Sequence, residues 1–257
     1  MKSILSVTIF LITFNANALR YADPIRQIDN VIIDDRAVAK LEKLIKEQNQ
    51  SRSGSGFGVG NGGFIEICLA DKKVTLLDFA EARNRDPDYK IMRTIDSLRH
   101  YSYTDIISTF IKRFERRAPK FSFFLLDNIL KFYRRGAFIN KPIVTNIKPE
   151  THLSNTGCLY QQAAINFRDK PFWDFNFLID TGYFHMLDSV NKAGLIVHEV
   201  IYERALEVSG PSALRNFISF LFAESTMSDP ALSDQMILKK AADLGIALEM
   251  HLEPFYE

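Results

Sequence analysis

The stretch FIEICLADKKVTLLDFAEAR, residues 64–83, decides the fold class. Phe64 to Leu69 is an apolar run that reads as a strand, Ala70 to Lys73 as a turn, and Val74 to Leu77 as a second strand. From Leu77 the pattern LDFAEAR turns helical.

Working outward toward the C-terminus, helical spacing runs almost throughout residues 88–135, in DYKIMRTIDSLRH, YTDIISTFIKRFERR and FSFFLLDNILKFYRR. Pro119 separates the last two, because proline removes a helix donor and clashes with the preceding turn. Ile143 to Thr145, Leu159 to Phe167 and Phe175 to Ile179 suit strands, with Gly157, Pro171 and Gly182 between them. Helix returns from Ser189 as VNKAGLIVHEVIYERALEVSG, PSALRNFISFLFAES and ALSDQMILKKAADLG. Strands come in blocks and helices in blocks. That order predicts α+β, a small mainly antiparallel sheet packed with several helices, rather than an alternating parallel fold.

Toward the N-terminus the composition changes. SRSGSGFGVGNGG, residues 51–63, reads as a Gly/Ser-rich linker or loop. Before it, residues 34–49 are helical in pattern, with Val38, Leu41, Leu44 and Ile45 on one face. Lys2, the uncharged run Ile4 to Phe14, and Ala16-Asn17-Ala18 have the order of a secretory signal peptide cleaved after Ala18. The expected organisation is therefore signal peptide 1–18, helical segment 19–50, linker 51–63 and one α+β domain over 64–257. The apolar run is too short to span a bilayer, so no transmembrane span is expected after cleavage.

Over 257 residues, 32 Lys and Arg stand against 31 Asp and Glu, which gives no global basic excess for nucleic acid. The charge is uneven along the chain. Lys112 to Arg135 holds eight basic residues and two acids; Glu224 to Glu257 holds seven acids and two lysines. These segments are either solvated, or docked on each other, or a basic face for an anionic surface. In the last case Arg116, Arg117, Arg134 and Arg135 are its candidate residues.

Cys68 and Cys158 are the only cysteines. Export favours pairing them; two free buried thiols are the alternative. Gly58 to Gly63 matches G-x-G-x-x-G, but a strand follows the glycines instead of preceding them, so no nucleotide cofactor is expected. The sharper candidate is His198-Glu199-Val200-Ile201-Tyr202. It is close to the zinc-protease pattern H-E-x-x-H, with Tyr202 where the second His would stand. Two readings follow. In one, His198 is a metal ligand or general base, Glu199 an acid–base residue and Tyr202 a substrate or oxyanion donor, with zinc as the possible cofactor. In the other, His198 and Tyr202 pack structurally. The helical wheel puts Ala193, Ile196, Val197, Val200, Ile201 and Val208 on a buried stripe, and Lys192, Glu199, Glu203 and Glu207 on a polar arc.

Three segments carry a resemblance. GNGGFIEICLADKKVTLLDFAEAR (60–83), TGCLYQQAAINF (156–167) and GLIVHEVIYERA (194–205) resemble, in the same order, segments of secreted proteins of predatory bacteria. The chain departs from them at Phe64, where Asp or Asn is common. The resemblance implies secretion, pairing of Cys68 with Cys158, and Tyr202 as the native residue type of the His-Glu-x-x-Tyr helix. It implies no activity. The expectation is an exported binding protein of the cell envelope, acting on an envelope protein, a glycan or an anionic surface. The alternative is a hydrolase of envelope or prey polymers.

Overall fold

The computed structural model describes residues 63–68, 73–92, 102–139, 158–166, 176–248 and 250. The signal-peptide reading, the helix over 34–49, nearly all of the Gly/Ser-rich segment, the strand over 143–145 and His100, His152 and His251 lie outside them.

The fold is α+β. The strands are β1 (Phe64–Cys68), β2 (Lys73–Leu76), β3 (Gly136–Ile139), β4 (Cys158–Gln162), β5 (Ala164–Asn166), β6 (Phe177–Asp180), β7 (Ala205–Val208) and β8 (Ile246–Leu248). The helices are α1 (Leu77–Arg85), α2 (Tyr103–Glu115), α3 (Pro119–Arg135), α4 (Thr181–Met186), α5 (Ser189–Arg204), α6 (Pro211–Phe222), α7 (Glu224–Ser228) and α8 (Asp234–Asp243).

One sheet has the order β2-β1-β4, all antiparallel; a second has the order β3-β6-β5, with β3 parallel to β6 and β5 antiparallel to it. The two sheets meet at a single chain crossing. The Ala163 and Ala164 amides, between and at the start of β4 and β5, donate to the Gly63 carbonyl at 2.9 and 3.3 Å, and the Asp180 amide donates to the Ala163 carbonyl at 2.9 Å. The strand over 158–166 thus pairs with β1 through its first half and with β6 through its second.

Helix α5 is the centre of the molecule. Residues 193–202 are all buried, so its surroundings are protein on every side. Gly194 makes this possible: a Cβ there would lie 2.6 Å from Phe79 and 2.9 Å from Leu76. Aromatic rings join the helices around it. Phe222 lies 5.3 Å from Phe79 and stacks on Phe110 at 4.3 Å; Phe110 meets Phe114, and Phe114 meets Phe121.

Helix starts follow local chemistry. Ser102 and Asp105 form a capping box on α2, and Asp188 accepts from the Asn191 amide at the start of α5. Pro119 does stand between α2 and α3, as the first residue of α3.

The structure corrects three sequence expectations. Residues 88–92, at the start of the helical stretch expected over 88–135, are the end of a turn and an isolated bridge, Ile91 to Ala223. Helix α5 stops at Arg204, where ALEV becomes β7 because β8, about 40 residues on, supplies its pairing partner. Strand β3 follows α3 directly, where no strand is expected.

Candidate functional site

The residues singled out as chemistry sit on α5 and face inward. His198 Nδ1 lies 2.7 Å from Asp78 Oδ2, and the two side chains are 3% and 0% exposed. Asp78 is the second residue of α1, so this pair ties α1 to α5. The next residue, Glu199, points the other way round the helix. Its Oε1 accepts the Gly63 amide at 2.5 Å, at the crossing where the two sheets meet. A Cβ at Gly63 would lie 1.8 Å from Leu195 Cδ1, so only glycine brings the strand this close to α5. Asn166 of β5 donates to the Glu199 carbonyl at 3.2 Å, and Asn191 Oδ1 accepts the Leu76 amide at 2.8 Å. Each of these bonds fixes a different strand or helix end to α5.

A second buried pair continues the seam. Glu81, one turn after Asp78 on α1, accepts from Arg215 Nε of α6 at 2.8 Å, with both side chains 4% exposed. Five titratable side chains on α1, α5 and α6 are therefore buried: Asp78 with His198, Glu81 with Arg215, and Glu199 on the Gly63 side of α5. Three carboxylate oxygens here, Asp78 Oδ1, Glu81 Oε1 and Glu199 Oε2, have no hydrogen-bond partner among the described residues.

Burial in this apolar setting pushes the Glu199 carboxyl up to about 7, against the opposing pull of His198 and of the Gly63 amide; Asp78 adds to the rise. Chemically, the seam can hold a proton near neutrality. Its described side chains on α5 are closed to solvent: Glu199 is 0%, His198 2% and Tyr202 5% exposed.

The helical wheel placed Glu199 on a polar arc, and that is overturned. Glu199 is among the most buried residues of the chain, because the sheet crossing at Gly63 covers that arc. Glu203, on the same arc, is partly exposed and accepts from Asn176 at 2.8 Å. For zinc, His198 offers Nδ1 to Asp78. The one group of three close ligand atoms among the described residues is elsewhere, at Glu66, Cys68 and Cys158. Cys68 and Cys158 form a disulfide across the β1–β4 pair.

The four arginines are all exposed and stand as two pairs at opposite ends of α3. Arg116 and Arg117 lie at the turn before α3, and Arg134 and Arg135 at its far end. A helix of 17 residues separates the pairs by about 25 Å at 1.5 Å per residue. Arg117 also serves the fold, donating to the carbonyls of Met227 and Asp229 at 3.0 Å each. Beside it, Asp234 of the acidic C-terminal segment accepts the Lys120 and Phe121 amides at 3.2 and 2.8 Å, capping α3. The basic and acidic segments dock on each other at this end. Arg134 and Arg135 at the other end are exposed.

Sequence reasoning missed Asp78, Glu81 and Arg215. The available signal was charge on apolar faces: Asp78 and Glu81 sit three apart within LLDFAEA, and Arg215 interrupts PSALRNFISFLF. No protein-family model, no curated protein and no solved structure matches this chain.

Proposed function

We propose that the chain is an exported binding protein of the cell envelope with no chemistry of its own. One observation carries this reading: the polar groups of the His-Glu-x-x-Tyr helix are buried and engaged in holding α1, β1 and β5 to α5. A residue that anchors the crossing of two sheets is a scaffold residue first. The disulfide, the signal-peptide pattern and the resemblance to secreted proteins of predatory bacteria support export. Among the described residues no helix is long and apolar enough to cross a membrane.

The binding surface we assign is the exposed end of α3 with Arg134 and Arg135, facing an anionic partner such as a charged glycan, a lipid surface or an acidic envelope protein. Co-sedimentation with envelope fractions tests it. Arg134→Ala with Arg135→Ala is expected to abolish salt-sensitive binding, and Glu199→Gln to leave it intact. Unchanged binding by the double arginine variant sinks the assignment.

The hydrolase reading keeps one observation in its favour, a Glu199 carboxyl at about 7, where acid–base residues are useful. Its burial counts against it. Turnover of any envelope polymer that disappears in Glu199→Gln, with the fold retained, would reverse the order of the two readings.

A further inference from the structure

The disulfide shares its sheet face with a carboxylate. Cys68 and Cys158 are direct cross-strand partners with Cα atoms 4.2 Å apart. Glu66, two residues before Cys68, lies on the same face of β1. One carboxylate oxygen of Glu66 and the two sulfurs lie within 4.8 Å of one another. Glu66 is only 7% exposed, so its carboxylate is held beside the sulfurs and not out in water. Tyr160, directly opposite Glu66 on β4, donates its hydroxyl to Oε1 at 3.4 Å. Lys73 stands opposite Cys68 in the β1–β2 register. A purely structural disulfide needs none of these neighbours.

We propose that this cluster is a redox-gated metal site, in which the reduced chain holds one zinc-class divalent ion on Cys68, Cys158 and Glu66. A water completes the tetrahedron, as in open three-ligand zinc sites. Two thiolates with one carboxylate select zinc-like ions over magnesium or calcium.

The chemistry balances with a dithiol reductant. The reductant transfers two electrons and two protons to the Cys68–Cys158 bond and becomes a disulfide itself; the S–S bond breaks and two thiols form. The ion then displaces both thiol protons into solvent. Around a tetrahedral ion with Zn–S of about 2.3 Å, the sulfurs stand about 3.8 Å apart. The β1–β4 ladder holds both backbones, so side-chain torsions alone open that distance. In the reverse direction an exchanging disulfide takes the two electrons of the thiolates and becomes a dithiol, the Cys68–Cys158 bond re-forms and the ion is released. This inference is independent of the binding reading above.

Cobalt titration of the full chain tests it, with the protein reduced by a phosphine under argon. The expected result is a thiolate-to-cobalt charge-transfer band saturating at one ion per monomeric chain, displaced by zinc and absent from the disulfide form. Glu66→Gln, its circular dichroism unchanged, is expected to weaken binding at least about tenfold. If reduction alone unfolds the chain, refolding on cobalt addition supports the site and persistent unfolding overturns it. Absence of the charge-transfer band, one ion per two chains, or unweakened binding by Glu66→Gln overturns it as well.

Discussion

Five titratable side chains on α1, α5 and α6 lie buried, whereas most of the charged groups of the α2–α3 hairpin reach water. The two regions use charge in opposite ways. In the seam, each charged or polar group holds a particular piece of backbone or a particular partner, and removing a partner leaves a charge stranded in a medium that cannot solvate it. On the hairpin, water replaces any partner that is lost. The comparison teaches that the number of charges in a segment says little about their energetic role; the solvent around them decides it.

The largest effect should come from splitting the Glu81–Arg215 pair. Arg215→Met leaves Glu81 buried with its main partner gone and is expected to cost about 3–5 kcal/mol in urea unfolding. The double variant Glu81→Leu with Arg215→Met removes both charges and should recover most of that loss. Equal loss in the single and double variants would mean that the seam is held by packing and that its charges matter no more than those on the surface.

Glu199 sharpens the comparison through pH. Its carboxyl titrates at about 7 in the folded chain against 4.5 ordinarily. Between those values the folded chain keeps a proton that the unfolded chain has lost, so stability falls as pH rises. The contribution is fully present below pH 4.5 and gone above about 7. At 1.36 kcal/mol per unit this is roughly 3 kcal/mol. Glu199→Gln keeps an acceptor for the Gly63 amide and cannot ionise. Stability measured from pH 4.5 to 8 should therefore fall in the native chain and stay flatter in the variant. Parallel curves would show that Glu199 is ionised throughout the range.

Much of the fold was legible in the sequence, because local signals agreed with the tertiary outcome. FIEIC, KVTL and the helix from Leu77 follow from apolar runs and periodicity, and Pro119 marks the start of α3. Two of the three failures have one cause. ALEV after α5 and GAFI after α3 become strands only because partners far along the chain are present. The site was half legible. His198 and Glu199 stood out as a dipeptide, but Asp78 is 120 residues away from His198 and Glu81 is 134 away from Arg215. No spacing rule links positions so distant. Glu199 was misplaced on the wheel because a helix covered on all sides has no solvent face for its polar arc.

Asp234 lies between the two regimes. Its side chain supplies α3 with the cap that Ala118 lacks, from 113 and 114 residues away, yet the site is partly wet. Asp234→Ala is expected to cost about 1 kcal/mol, in the range of ordinary N-cap losses, and Asp234→Asn less. A loss near that of Arg215→Met would show that docking of the acidic segment, and not capping alone, depends on this residue.

The smallest effect belongs to Lys131 and Asp127, one turn apart on α3. Their N···O distance, 2.5 Å, is shorter than the 2.8 Å of Glu81 and Arg215, and the pair has the same element of helical spacing that stabilises isolated helices. By distance alone it would be the stronger of the two. Its side chains are 41% and 28% exposed, so water and salt screen the attraction, and either partner alone is solvated when the other is removed. Lys131→Ala is expected to cost under about 0.5 kcal/mol, with a double-mutant cycle against Asp127→Ala giving a coupling that fades at high salt. A coupling that persists in salt would show that the hairpin surface is drier than its exposure suggests, and the contrast between the two regions would then rest on partner geometry instead of solvent.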